Sequence, residues 1–147
     1  MSGFKGDIDR FNEIYRLPRP DKPTLLPPER IKQFMSILTE EVKEGEDIMA
    51  KYQSYVSQPG GMTREQEVEI FTELSDWLGD IMVYARSEGR RYGLPIEEVL
   101  GIIMQSNFSK LGADGKPIYD DRGKVMKGPN YWKPEPKISD LLKKLLE

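Results

Sequence analysis

The sequence predicts an all-α protein, a helical bundle built on two long antiparallel helices with a third helix beside them. Three observations carry that prediction. Apolar residues keep a helical period from Ile31 to Val56 and again from Val68 to Ala85. Between these stretches lie a loop-forming Gln58-Pro59-Gly60-Gly61 and a helix start, Thr63 with Gln66 three residues on, the capping-box pattern. Strand-like text is confined to a short stretch between Ala113 and Lys127. At 147 residues the chain is long enough to form one domain with its own core.

The first element is a short helix from Asp7 to Arg16 carrying Ile8, Phe11, Ile14 and Tyr15. Leu17 to Pro28 then holds five of the eleven prolines and can be neither helix nor central strand. Residues 1–28 therefore read as an N-terminal arm, extended over the surface or over a neighbouring subunit. Pro27-Pro28 opens the first long helix, which runs to Ser57, because proline is tolerated in a first turn. The second long helix runs from its Thr63 cap to about Tyr92. Glu65 and Glu67 suit its dipole, and Gly93 supplies the residue past its end. It is apolar over most of its circumference from Val68 to Ala85, the mark of a central helix covered by neighbours or by a second subunit. The third helix follows Pro95 and continues to Leu111, where Gly112 ends it. Residues 113–136 are irregular, with turns at Asp114-Gly115 and Asp120–Gly123 and a small hairpin between Lys116 and Met126. Ser139 is the expected cap of a last helix, Asp140 to Leu146.

Composition removes whole classes of chemistry. There is no histidine and no cysteine, so Ser-His-Asp and Cys-His catalysis, disulfides and nearly all zinc and di-iron sites are excluded. Any bound metal must take oxygen ligands, which favours Mg²⁺, Mn²⁺ or Ca²⁺. A net charge of −3 gives no basic field for a nucleic acid polymer. No apolar run approaches a membrane span, and the N-terminus lacks a signal core. A cytoplasmic protein without a membrane contact is the expectation.

The two long helices each carry an acidic cluster. At about 100° per residue, Glu69, Glu73, Asp76 and Asp80 fall within roughly 60° of one another. No Lys or Arg stands between Arg64 and Arg86 to neutralise them. One helix earlier comes Glu40-Glu41-Val42-Lys43-Glu44, with Glu41 inside the apolar arc between Ile37 and Phe34 and Glu44 at its margin. Carboxylates are rarely buried unless paired or bound to metal. The plain alternative is a solvated face, since Glu-rich helices are common. Paired carboxylates on antiparallel neighbours offer oxygens to one hard cation and leave room for water and a phosphate.

Glu40-Glu41-x-x-Glu44, 28 intervening residues, Glu73-x-x-Asp76 and then Asp80 resemble the MazG-like all-α nucleoside triphosphate pyrophosphohydrolases. The resemblance continues through Ser106-Asn107-Phe108-Ser109-Lys110 and Gly123-Lys124-Val125-Met126-Lys127-Gly128, and spans roughly Pro28 to Pro134. It implies a homodimer or homotetramer and hydrolysis of a nucleoside triphosphate to monophosphate and pyrophosphate. It implies Mg²⁺, with Mn²⁺ as a substitute. Glu41, Glu44, Glu73 and Asp76 would be ligands and Asp80 an additional one. Glu40 would hold a further ion or act as base on the attacking water, so Glu40 and Glu41 are the candidate catalytic pair. Asn107, Lys110, Lys124, Lys127 and Tyr131, with Arg122, are the substrate candidates. Trp77 reads as core, Tyr131 and Trp132 as packing in preference to stacking on a base, and Phe11 and Asn12 as walls of a base pocket. Glu69 lies outside the motif and reads as surface charge. Phosphoribosyl-ATP pyrophosphohydrolase is the rival inside the superfamily, and a non-catalytic helical interaction protein is the rival outside it.

Overall fold

The computed structural model describes residues 3–147. Its five helices are α1 (Phe4–Ile14), α2 (Glu29–Ser57), α3 (Arg64–Arg91), α4 (Ile96–Phe108) and α5 (Glu135–Leu146). The two long helices form as their periodicity predicts. The Thr63 hydroxyl accepts from the Gln66 N–H at 3.1 Å, and the Gln66 side chain accepts from the Thr63 N–H at 2.9 Å, completing the capping box. At the other end of α3, Gly93 adopts φ +66° and the Leu94 N–H reaches back to the Gly89 carbonyl. A left-handed residue there costs glycine little.

Contacts between α2 and α3 run in opposite order along the two helices. Arg30 meets Glu88, the Glu41 carbonyl meets Trp77, and Lys51 and Tyr55 meet Glu69. The Arg30–Glu88 pair is two-pronged, at 2.9 and 2.6 Å, with side chains only 16% and 11% exposed. This planar fork locks the start of α2 to the end of α3.

α1 begins nearer the N-terminus than the sequence suggests, at Phe4 rather than Asp7. It is pinned to α3 by Asn12, which is fully buried. The Asn12 amide donates to the Ser87 carbonyl at 3.1 Å, and the Ser87 hydroxyl donates to Asn12 Oδ1 at 2.7 Å. Asn12 is therefore a packing residue and no wall of a base pocket. The proline-rich arm lies on its own chain. Arg90 donates to the Pro20 and Arg19 carbonyls and to Asp9, and the Thr24 N–H donates to the Tyr92 carbonyl.

Three expectations in the C-terminal third need correction. α4 stops at Phe108 instead of Leu111, with Ser109 capping it. The hairpin shrinks to one antiparallel bridge, Tyr119 with Val125, closed by the Asp120–Lys124 turn. α5 starts at Glu135, ahead of Ser139, because Pro136 fits a first turn where no N–H is needed.

The chain's own core is thin. Among the described residues, Ile8 and Ile70 are the only large apolar side chains that are buried. α2 leaves Met35, Val42, Met49 and Val56 exposed, one every seven residues, and α3 leaves Val68, Phe71, Leu78 and Met82 exposed. No described helix is long and apolar enough to cross a membrane.

Candidate functional site

The acidic clusters face each other across α2 and α3, and Trp77 sets their register. Its indole N–H donates to the Glu41 carbonyl at 2.7 Å. The ring lies over Gly45, where an added Cβ would stand 2.6 Å from Cζ2. One tryptophan thus ties the Glu73–Asp80 segment to the Glu40–Glu44 turn. Sequence reading gave Trp77 to the core and passed over Gly45. The signal was available in principle, since a glycine inside a long helix costs stability unless something approaches closely.

Glu41 is the anomalous member. It is 6% exposed, and its Oε2 is buried with no hydrogen-bond partner. Burial first, and then the charges of Glu44, Asp80 and Asp76, push its carboxyl above the ordinary range. Glu41 therefore lies within reach of acidic charge from both helices. Glu44, Asp76 and Asp80 stay exposed, and Glu73 is half-buried. A cleft of about 220 Å³ is lined by Glu44, Asp47, Ile48, Lys51, Glu73, Asp76 and Trp77.

The counter-charge absent from α3 itself comes from α2. Lys51 Nζ lies 2.5 Å from Glu73 Oε1 and 3.0 Å from Glu69 Oε1, and the Tyr55 hydroxyl donates to Glu69 Oε2 at 2.8 Å. Glu69 is therefore a bound member of the stripe, and its reading as ordinary surface charge is corrected. Lys51 and Tyr55 were missed because they stand on the other helix.

The residues fit a hard cation in kind. Their donors are all carboxylate oxygens, one of them buried and orphaned. Among the described residues, however, no three carboxylates are gathered closely enough to hold an ion as they stand. Two forces account for the spread. Like charges repel, and Lys51 holds Glu73 toward Glu69. Glu40 faces outward, 3.3 Å from Lys43.

The substrate candidates form a separate group at the end of α4. The Lys110 N–H donates to the Asn107 carbonyl, and the Gly128 N–H donates to the Lys110 carbonyl. The Lys127 ammonium sits 5.0 Å from the centre of the Tyr131 ring. Ser106 donates to the Trp132 carbonyl and the Trp132 N–H donates to Ser109, so the two segments are laced together. The Lys137 ammonium sits 3.7 Å from the centre of the Trp132 ring. Lys124 closes the Asp120 turn through its backbone. Among the described residues, no hydrogen bond or ion pair joins 107–133 to α2 or α3.

A larger cleft of about 630 Å³ lies by α1 and the α3–α4 turn. Its Arg86 and Arg90 are already bound to Glu97 and Asp9. Arg10 and Lys5 line it as well, but it lies away from the facing carboxylates of α2 and α3, so the acidic cleft is the better candidate for a cation.

The fold and the facing acids define an all-α protein with a carboxylate cleft between its two longest helices. No known family model matches the chain, and no curated protein matches it significantly. Among solved structures, that of a proposed NTP pyrophosphohydrolase from Exiguobacterium sp. 255-15 is similar, with TM-score 0.53 and 24% identity. The match covers 99% of this chain and 96% of that one. A likeness at this identity establishes a shared fold.

Proposed function

We propose that this chain is a MazG-like pyrophosphohydrolase that hydrolyses a nucleoside triphosphate between its α and β phosphates, releasing a monophosphate and pyrophosphate. Its role would be house-cleaning of nucleotide pools. The observation that carries this reading is Glu41, a buried carboxylate with an orphaned oxygen among Glu44, Asp76 and Asp80. Such a group is neutralised by a proton or by a cation, and the acids that face it from both helices suit a cation. The name given to the Exiguobacterium protein points the same way.

In this reading Glu41, Glu44, Glu73 and Asp76 hold Mg²⁺, with Mn²⁺ as a substitute and Asp80 beside them. When bound, the ion neutralises triphosphate charge and makes a neighbouring water more acidic. Glu40, exposed at the cluster's edge, accepts the proton of the attacking water. Trp77 keeps the two acidic turns in register. Lys110, Lys124 and Lys127 bind phosphate oxygens, Asn107 hydrogen-bonds the sugar or a phosphate, and Tyr131 packs against the nucleotide.

The same reading has the chain self-associate as a homodimer or homotetramer. The exposed apolar residues of α2 and α3 recur at coiled-coil spacing. A second copy offers the matching surface, and two such helix pairs complete a four-helix bundle. Sedimentation velocity tests this, and a monomer at micromolar concentration refutes it.

The enzyme reading is tested by pyrophosphate release from each NTP and dNTP with Mg²⁺ or Mn²⁺, beside Glu41→Gln and Glu73→Gln. We expect release by the wild type and its loss in both variants. No release from any nucleotide refutes the enzyme and leaves a helical interaction protein. Full activity in both variants refutes the cation site alone.

A further inference from the structure

Lys51 is the only cation among the residues lining the acidic cleft, facing Glu44, Asp47, Glu73 and Asp76. Its ammonium bridges Glu73 and Glu69, and Glu69 is fixed from its other oxygen by Tyr55. A divalent cation on Glu73 would stand within about 4–5 Å of this ammonium, so the two like charges compete for the carboxylate. Glu69 gives Lys51 a second anchor that does not depend on Glu73.

We propose that Lys51 is the resident counter-ion of the cation site: it holds Glu73 turned toward Glu69, and a divalent cation loads by displacing it from Glu73 onto Glu69 alone. The inference rests on the reading of Glu41, Glu44, Glu73 and Asp76 as a cation site. It explains why no three carboxylates converge although four are adjacent. It also assigns a purpose to Glu69 and Tyr55, which the hydrolytic reading leaves unused. The neutral side chain of Lys51→Met would leave Glu73 free to turn toward Asp76.

The test is calorimetric titration of the full chain with Mn²⁺, without nucleotide. Lys51→Met is expected to bind Mn²⁺ about fivefold more tightly than wild type, the scale of losing one part-exposed competing ion pair. Lys51→Gln serves as a second neutral variant in case the first impairs folding, which circular dichroism checks. Lys43→Met is the control, because Lys43 pairs with the outward Glu40 and should leave the affinity within about 1.5-fold. Unchanged or weaker binding by the folded Lys51 variants overturns the inference and leaves the cation site standing. Equal tightening by Lys43→Met also overturns it, since general charge would then suffice. If the wild type binds no Mn²⁺, or Glu41→Gln binds it equally well, the cation site falls and this inference falls with it.

Discussion

Gly45→Ala tests how α2 and α3 are held in register. Inside a helix, replacing glycine by alanine ordinarily stabilises by about 0.5–1 kcal/mol. At Gly45 the new Cβ would lie 2.6, 3.0 and 3.2 Å from Cζ2, Cη2 and Cε2 of Trp77. The indole has to move, and its bond to the Glu41 carbonyl at 2.7 Å is lost. That bond is worth about 0.5–1.5 kcal/mol, and crowding a packed ring costs about 1–3 kcal/mol more. The net expectation is destabilisation by about 1–3 kcal/mol, or a melting point roughly 3–9 °C lower for a chain of this size. Urea melts at one fixed protein concentration measure it. The same change in a Trp77→Leu background should instead stabilise, by about 0.5–1 kcal/mol, because the ring is gone. The coupling across this cycle is then about 1.5–4 kcal/mol. Equal effects in the two backgrounds, or a Gly45→Ala protein as stable as the wild type, refute the reasoning.

Three further outcomes follow from other residues. Without divalent metal, Glu41→Gln should melt higher than the wild type, because an orphaned carboxylate 6% exposed becomes a neutral amide; scanning calorimetry showing a lower melting point contradicts this. Asn12→Ala should cost about 2–3 kcal/mol, since the buried Ser87 hydroxyl loses its acceptor; a urea midpoint shift equivalent to under about 0.5 kcal/mol sinks that assignment. Asp9 is held below its ordinary pKa, first by its hydrogen bond to Arg90 and further by Arg90 and Arg19 charge. A lowered folded pKa contributes stability above the unfolded value that is lost as pH falls through the folded one. The wild type should therefore exceed Asp9→Asn by about 0.5–1 kcal/mol at pH 7, discounted because Asp9 is 43% exposed. The gap should close on acidification below about pH 4, and a gap that widens there refutes the pairing.

Features with local causes were legible in the sequence. The Thr63–Gln66 box closes within four residues, and Gly93 ends α3 by its own backbone freedom. Glu41's burial was legible as well, because a helical wheel fixes which face a residue shares. Features that depend on a second helix were not. Nothing near Glu73 in the chain announces Lys51, 22 residues away. Gly45 looks like a weak point until Trp77 is laid across it. The start of α5 was misplaced because Ser139 satisfies a local capping rule, while Pro134 and Pro136 already set the first turn. The Gly128 N–H on the Lys110 carbonyl joins the two segments that the resemblance matches separately, and Ser106 and Ser109 add Trp132 to them.

The fastening of α1 and the arm bears on the order in which the chain folds. Every bond that docks them reaches far ahead: Asn12 to Ser87 spans 75 residues, and Arg90 reaches back 81 to Asp9 and 70 to Pro20. Closing loops of that length is slow, whereas the α2–α3 pair closes through the short turn after Ser57. During synthesis the N-terminal helix, made first, has to wait until residue 90 has left the ribosome. Until then Asn12 and Asp9 remain in water, and a chain stalled within α3 carries its first helix undocked.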